Sequence, residues 1–199
     1  MAAVRGTESV DMDSFQQLAP ETWLNDQVMN YVAKQVIQPA TRNTFCYSSF
    51  FFTRLLHNTS RIEEYDFTQV NNCHSSRGIR AIGAREIFSL QNLFVPINKD
   101  NSHWLLLQAS FTDQKVYLYD SDDAQTDNSN SNGQYLDAMV RYFYDVERTM
   151  GRTTACVDGY AQTWSRINRS GSTPKQTNSY DCGVFTLINL ALLVRGQRP

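Results

Sequence analysis

The chain has no apolar run long enough to cross a bilayer. Its opening residues, MAAVRGTESVDMDSF, contain no hydrophobic signal region. Together these argue for a soluble protein working inside a cell. Dense runs of Lys or Arg are missing as well, and the net charge is −2. A nucleic-acid partner is therefore not expected, because it would favour a strongly basic face. The four cysteines, Cys46, Cys73, Cys156 and Cys182, include no CxxC pair. Scattered thiols in a chain of 199 residues fit a reducing compartment better than a disulfide framework. Cys73 adjoins His74, but no second ligand pair at zinc spacing accompanies them. No metal is expected. Repeats and linkers are also lacking.

What is present is a globular composition: 41% hydrophobic, 12% aromatic and 19% charged. The length suits one domain with a core of its own. Residues 13–19 can form a short helix. Leu24, Val28, Val32 and Val36 recur every four residues, which predicts an amphipathic helix over 23–37 that Pro39 stops. SFFFTRLL (49–56) reads as a second helix. LFVPI (93–97) reads as a strand, with Pro96 at its end or on an edge. HWLLLQAS (103–110) and KVYLYDS (115–121) are strand-like, and the polar step at Thr112 and Asp113 joins them as a hairpin. Residues 122–133 read as a solvated acidic loop. Leu136, Met139, Val140, Phe143 and Val146 restore helical spacing, and 154–165 reads as another strand. CGVFTLINLALLV (182–194) is apolar nearly all round, which predicts a buried helix. Helices, then strands, then helices indicate an α+β domain.

Three segments carry chemistry. His103 opens one strand of the predicted hairpin and Asp120 closes the other. Adjacent strands lie about 5 Å apart, so the two side chains come within reach. A carboxylate on one ring nitrogen fixes the histidine tautomer and supports its charged form. Cys182 opens the apolar helix, where amide N–H groups lack helical partners. The positive helix end and an adjacent imidazolium both favour a thiolate, which is nucleophilic at neutral pH. Gln176 lies six residues upstream with an amide to donate to an oxyanion. The Cys182 N–H is a second donor. Gly183 leaves the surface beside the sulfur open. Each feature alone has a plainer reading. A cysteine on an apolar helix is usually core, Asp120 is a turn residue and Asp181 is a helix N-cap. Asp122 and Asp123 compete with Asp120 as the partner of His103.

The combination resembles the Ulp/SENP family of ubiquitin-like-protein proteases. SHW at 102–104, YDS at 119–121 and QTNSYDCGVF at 176–185 match its motifs, as do the seventeen-residue spacing from His103 to Asp120 and the step from Gln176 to Cys182. WLND (23–26), SFFFTRL (49–55) and FVPINKDNSHW (94–104) are also similar. The likeness runs from about residue 14 to 194, which makes 1–199 a single protease catalytic domain. It implies a papain-like core in circularly shifted order, a central mixed sheet packed with helices. His103 would be the base, Asp120 its orienter, Cys182 the nucleophile and Gln176 the oxyanion donor. Trp23 and Trp104 would roof a narrow channel for a Gly-Gly tail. Asp26 would face the modifier and pair with an arginine there, or else cap its own helix. The implied enzyme is a monomeric thiol isopeptidase without cofactor, in the nucleus or cytoplasm, or in a host cytosol if microbial. SUMO is the favoured modifier; the neddylation modifier and ubiquitin are alternatives. A papain-fold acetyltransferase lacks its cluster of basic residues here, and a non-catalytic modifier-binding module would not need all four site residues.

Overall fold

The structure is a computed structural model, and it describes residues 10–37, 43–71, 87–122, 132–152 and 163–199. The first helix, α1 (Met12–Gln16), starts where the Asp11 carboxylate accepts from the N–H of Ser14. The second, α2 (Asp26–Ile37), starts later than the apolar spacing predicts. Asn25 is the reason: its side-chain oxygen accepts from the N–H of Val28 at 3.0 Å, an N-cap that leaves Trp23 and Leu24 outside the helix. Leu24 and Val28 are buried as expected.

Five strands follow in a mixed sheet: β1 (Thr44–Cys46), β2 (Asn92–Lys99), β3 (His103–Ser110), β4 (Lys115–Tyr119) and β5 (Ser165–Asn168), in that spatial order. The outer pairs are parallel and the inner two antiparallel. Pro96 lies inside β2 rather than at its end. The N–H of Tyr47 donates to the Phe94 carbonyl, so Phe94 turns its backbone toward β1, and Pro96, two residues on, turns the same way. The β1 register ends at Phe94. The missing N–H of Pro96 therefore faces a flank where β2 is already an edge. Of the expected strand over 154–165, residues 154–162 lie outside the described residues; Thr163 and Trp164 are not extended in the sheet, and Ser165 opens β5.

Alternation divides the sheet's two faces. Leu105, Leu107, Ala109, Val116 and Leu118 point toward α3 (Phe50–Leu55) and the long α5 (Gly133–Thr149), which follows the short α4 (Thr68–Asn71). Phe94, Leu106, Tyr117 and Tyr119 point toward Ala33 of α2 and Leu190 of α6 (Cys182–Val194). Helices thus cover both faces, an α+β architecture with the expected mixed sheet. One expectation fails. The final helix is not buried all round, because Val184 and Ile188 are exposed. α6 buries Thr186, Asn189 and Leu190, while Val184 and Ile188 stay exposed.

Candidate active site

The β2–β3 turn sets His103. Asp100 and Asn101 both take positive φ, at 53° and 52°, and the N–H of Ser102 closes onto the Lys99 carbonyl at 3.0 Å. Asp and Asn tolerate this left-handed backbone better than most residues. Lys99 then pairs with His103, which begins β3 at the end of the sheet. Leu106 pairs with Tyr119, so the continued register puts Asp120 opposite Leu105. His103 is its diagonal neighbour on the same face.

The contact forms: His103 Nε2 lies 2.7 Å from Asp120 Oδ1. Asp120 is fully buried and the His103 side chain is 14% exposed. With Nε2 committed to Asp120, Nδ1 is the ring nitrogen left to interact with Cys182, which helps to raise the histidine pKa. Burial works against the imidazolium, but the bonds to Asp120 and Cys182, with their charges, outweigh it. They push the histidine pKa up to about 9. The imidazole from the hairpin and the sulfur at the helix start are close enough to interact. Asp122 does not replace Asp120; its backbone N–H donates to Asp120 Oδ1 at 2.9 Å. Asp123 lies outside the described residues.

Cys182 is the first residue of α6. Asp181 stands at the N-cap position but makes no side-chain cap bond. Its carboxylate accepts from the Asn178 amide at 2.7 Å instead. The first amides of α6 are thus not taken by a capping carboxylate, which leaves donors beside the sulfur. Cys182 itself is only 1% exposed, packed with Met29 and Trp104. Gly183 does not open the surface as expected. It is buried, and a Cβ there would lie 3.1 Å from Leu24 Cβ and 3.2 Å from Leu24 Cδ1. Glycine lets the WLND segment press against the helix start. Leu24 cannot easily yield, since its carbonyl accepts from Trp104 Nε1 at 2.8 Å. Gly183→Ala should therefore destabilise by about 1–3 kcal/mol, the usual range for overpacking. Urea denaturation measures this; an unchanged midpoint would show that Leu24 moves freely.

Gln176 is held on both sides. Its Oε1 accepts from Ser121 Oγ at 2.8 Å and its Nε2 donates to the Asn178 carbonyl at 2.7 Å. One amide hydrogen remains for another acceptor. Gln176, His103 and Trp23 line an open cleft of about 610 Å³ with Lys99, Asp100 and Asp122. Trp23 is 44% exposed there, whereas Trp104 is 3% exposed. Trp104 joins the wall around the sulfur, and only Trp23 stands at the open cleft. Asp26 does not cap α2. It accepts from Ser49 Oγ at 2.6 Å and from Asn98 Nδ2 at 3.4 Å. Among the described residues no group of three His, Cys, Asp or Glu side chains could hold a metal ion. Cys73, His74 and Cys156 lie outside them.

The profile of the Ulp1 protease family, C-terminal catalytic domain, matches residues 22–199. The chain belongs to this family. Ubiquitin-like-specific protease 1A of Arabidopsis thaliana is 26% identical over 185 residues, covering 90% of this chain and 33% of the relative. Ubiquitin-like-specific protease 1 of Saccharomyces cerevisiae is 26% identical over 188 residues, 93% of this chain and 25% of the relative. The chain thus spans a third or less of these relatives. Among solved structures, the C-terminal Ulp1 protease domain in complex with Smt3, the yeast ortholog of SUMO, superposes with a TM-score of 0.71. The two are 21% identical over 97% of this chain and 75% of that one. The SUMO protease Ulp1 with its catalytic cysteine oxidised to a sulfinic acid gives 0.71, at 22% identity over 96% and 74%. Both likenesses establish a shared fold.

The candidate site of this Ulp1-family chain also contains polar residues that sequence patterns did not single out. Ser121 and Asn178 hold the Gln176 amide. Lys175 Nζ donates to the Asp122 carbonyl at 3.1 Å and the Asp120 carbonyl at 3.4 Å. Asn132 Nδ2 donates to Asp120 Oδ2 at 3.1 Å. Ser121 and Lys175 stood one residue from a named candidate, which is a usable signal. Asn132 sat in a polar stretch with nothing to distinguish it. No helix among the described residues is long and apolar enough to cross a membrane.

Proposed function

We propose that the chain is a cysteine protease that hydrolyses the peptide or isopeptide bond following the C-terminal Gly-Gly of a ubiquitin-like modifier. SUMO is the first candidate. The observation that supports this is the His103 ring held 2.7 Å from a buried Asp120 carboxylate and close enough to Cys182, which opens α6, for the two to interact. The Smt3 complex of the similar yeast domain supports SUMO over other modifiers. The neddylation modifier and ubiquitin remain alternatives.

In the proposed reaction His103 holds the thiol proton as an imidazolium. The Cys182 thiolate attacks the glycine carbonyl, forming a C–S bond. The carbonyl electrons move to oxygen, where the free Gln176 amide hydrogen and the Cys182 N–H are the donors. Such donors are worth roughly 3–4 kcal/mol each. His103 passes its proton to the leaving amine as the C–N bond breaks. Water, deprotonated by His103, then cleaves the thioester and restores the thiol. No metal or organic cofactor enters these steps.

The closed environment of the sulfur bears on specificity. A chain that reaches Cys182 past Trp23 must be thin, and two glycines carry no side chains to obstruct it. Trp23 would stack on that backbone from the cleft, with Trp104 backing it. Asp26 would meet an arginine on the modifier, its orientation preset by Ser49 and Asn98. Residues 1–199 would act as one catalytic domain and as a monomer, in the nucleus or cytoplasm.

A panel of Gly-Gly-tailed modifiers carrying a fluorescent leaving group tests the proposal. SUMO should give the highest kcat/KM, by at least about tenfold, since a pocket preference of 1.4 kcal/mol suffices for that ratio. A higher value for the neddylation modifier or ubiquitin would reassign the substrate. No turnover on any modifier would overturn the protease reading.

A further inference from the structure

Asp120 is anchored at both oxygens. Oδ1 takes the His103 ring and the N–H of Asp122; Oδ2 takes Asn132 Nδ2. A carboxylate turns easily about its last side-chain bond, because that torsion is broad. Holding one oxygen leaves the plane free to swing; holding both fixes it. The orientation of the Asn132 amide is itself determined. Its Oδ1 accepts from Lys99 Nζ at 2.9 Å. An ammonium only donates and an ionised carboxylate only accepts. The oxygen must therefore face Lys99 and the NH₂ must face Asp120.

Asn132 occupies a position where asparagine normally serves the backbone. It is the N-cap residue of α5, a helix of 17 residues, yet it makes no side-chain cap bond. A side-chain cap there is typically worth about 1 kcal/mol. The fold forgoes it and directs a side chain that is 4% exposed to the carboxylate behind His103. Lys99 links the device to the cleft, whose wall it shares with His103.

We infer that Asn132 is a positioning residue: it locks the plane of the Asp120 carboxylate, and through it the His103 ring that faces Cys182. Lys99 sets the direction of the lock. The inference rests on the proposed pairing of His103, Asp120 and Cys182, and its test separates failure of that pairing from failure of the lock. Asn132 is not among the residues that line the cleft, so its loss acts on turnover rather than on substrate binding.

Asn132→Ser and Asn132→Ala provide the test. Serine is as good an N-cap as asparagine, but its hydroxyl is too short to replace the amide bridge. A capping role predicts that the serine variant is neutral and the alanine variant only less stable. A positioning role predicts that both lose about tenfold in kcat with KM within twofold. The second readout is the downfield proton resonance of the short His103–Asp120 bond, present in the unaltered protein and broadened or lost in both variants. Serine-variant kcat and resonance matching the unaltered protein would overturn the inference. Should alanine unfold the chain, the serine variant decides alone. Absence of the resonance from the unaltered protein would instead overturn the His103–Asp120 pairing, whatever the substrate cleaved.

Discussion

Cys182→Ala protein should cleave a Gly-Gly-tailed modifier substrate no faster than background, a loss on the order of 10⁵–10⁶-fold in kcat. The sulfur, on the first residue of α6, is the group that forms the acyl bond in the proposed reaction. A serine in its place would not help much. Its hydroxyl is weakly acidic, and the His103 pair would have to activate an alcohol rather than a thiol. Binding should survive. Trp23 and the cleft walls at Lys99, Asp100 and Gln176 are built on other segments. Turnover by fluorescence and modifier affinity by titration calorimetry separate the two. Residual cleavage above background, sensitive to thiol reagents, would point to another cysteine as nucleophile.

The second large effect belongs to Asp120. Asp120→Ala should lower kcat by about 10³–10⁴-fold, as expected when a histidine loses the group that orients it. It should also change the pH dependence. Asp120 and Cys182 together hold the His103 pKa at about 9, above the ordinary 6.5, against the opposing effect of burial. In the proposed reaction the imidazolium that protonates the leaving amine is thus present through neutral pH and lost as pH rises through about 9. Without Asp120 the pKa falls, so the alkaline limb of kcat/KM should move to lower pH. Stability follows the same sign. A raised histidine pKa contributes stability that is fully present below pH 6.5 and lost as pH rises through about 9. Melting temperatures of the unaltered protein should drop across that window, and those of Asp120→Ala should drop earlier. An alkaline limb unmoved by the substitution would show that Asp120 does not set the charge of His103.

The elements that hold the candidate site residues were legible because local rules place them. Period-two alternation and a polar step define the β3–β4 hairpin, and its strands carry His103 and lead into Asp120. The apolar run from 182 to 194 gives α6 its bounds to the residue. Residues that act across long separations were not legible. Asn132 matters only because the start of α5 returns to Asp120, and no local pattern announces that. The role of Gly183 depends on Leu24, which lies far away in sequence. Asp181 has the composition of a cap, but Asn178 intercepts its carboxylate. The exposure of Val184 and Ile188 depends on what α6 does not meet, which hydrophobicity alone cannot reveal. Asp26 reads as a cap until Asn25 is seen to hold that position.

Cys182 is proposed as a nucleophile reachable by a slender C-terminal tail, although it is 1% exposed in this structure. The most direct measurement uses SUMO ending in a carbon electrophile in place of its last carbonyl, with peptide mapping of the adduct by mass spectrometry. A single adduct on Cys182, abolished by prior loss of the Gly-Gly tail, is the expected result. Labelling of Cys46, Cys73 or Cys156 instead, or no adduct with SUMO or any other Gly-Gly-tailed modifier, would contradict it.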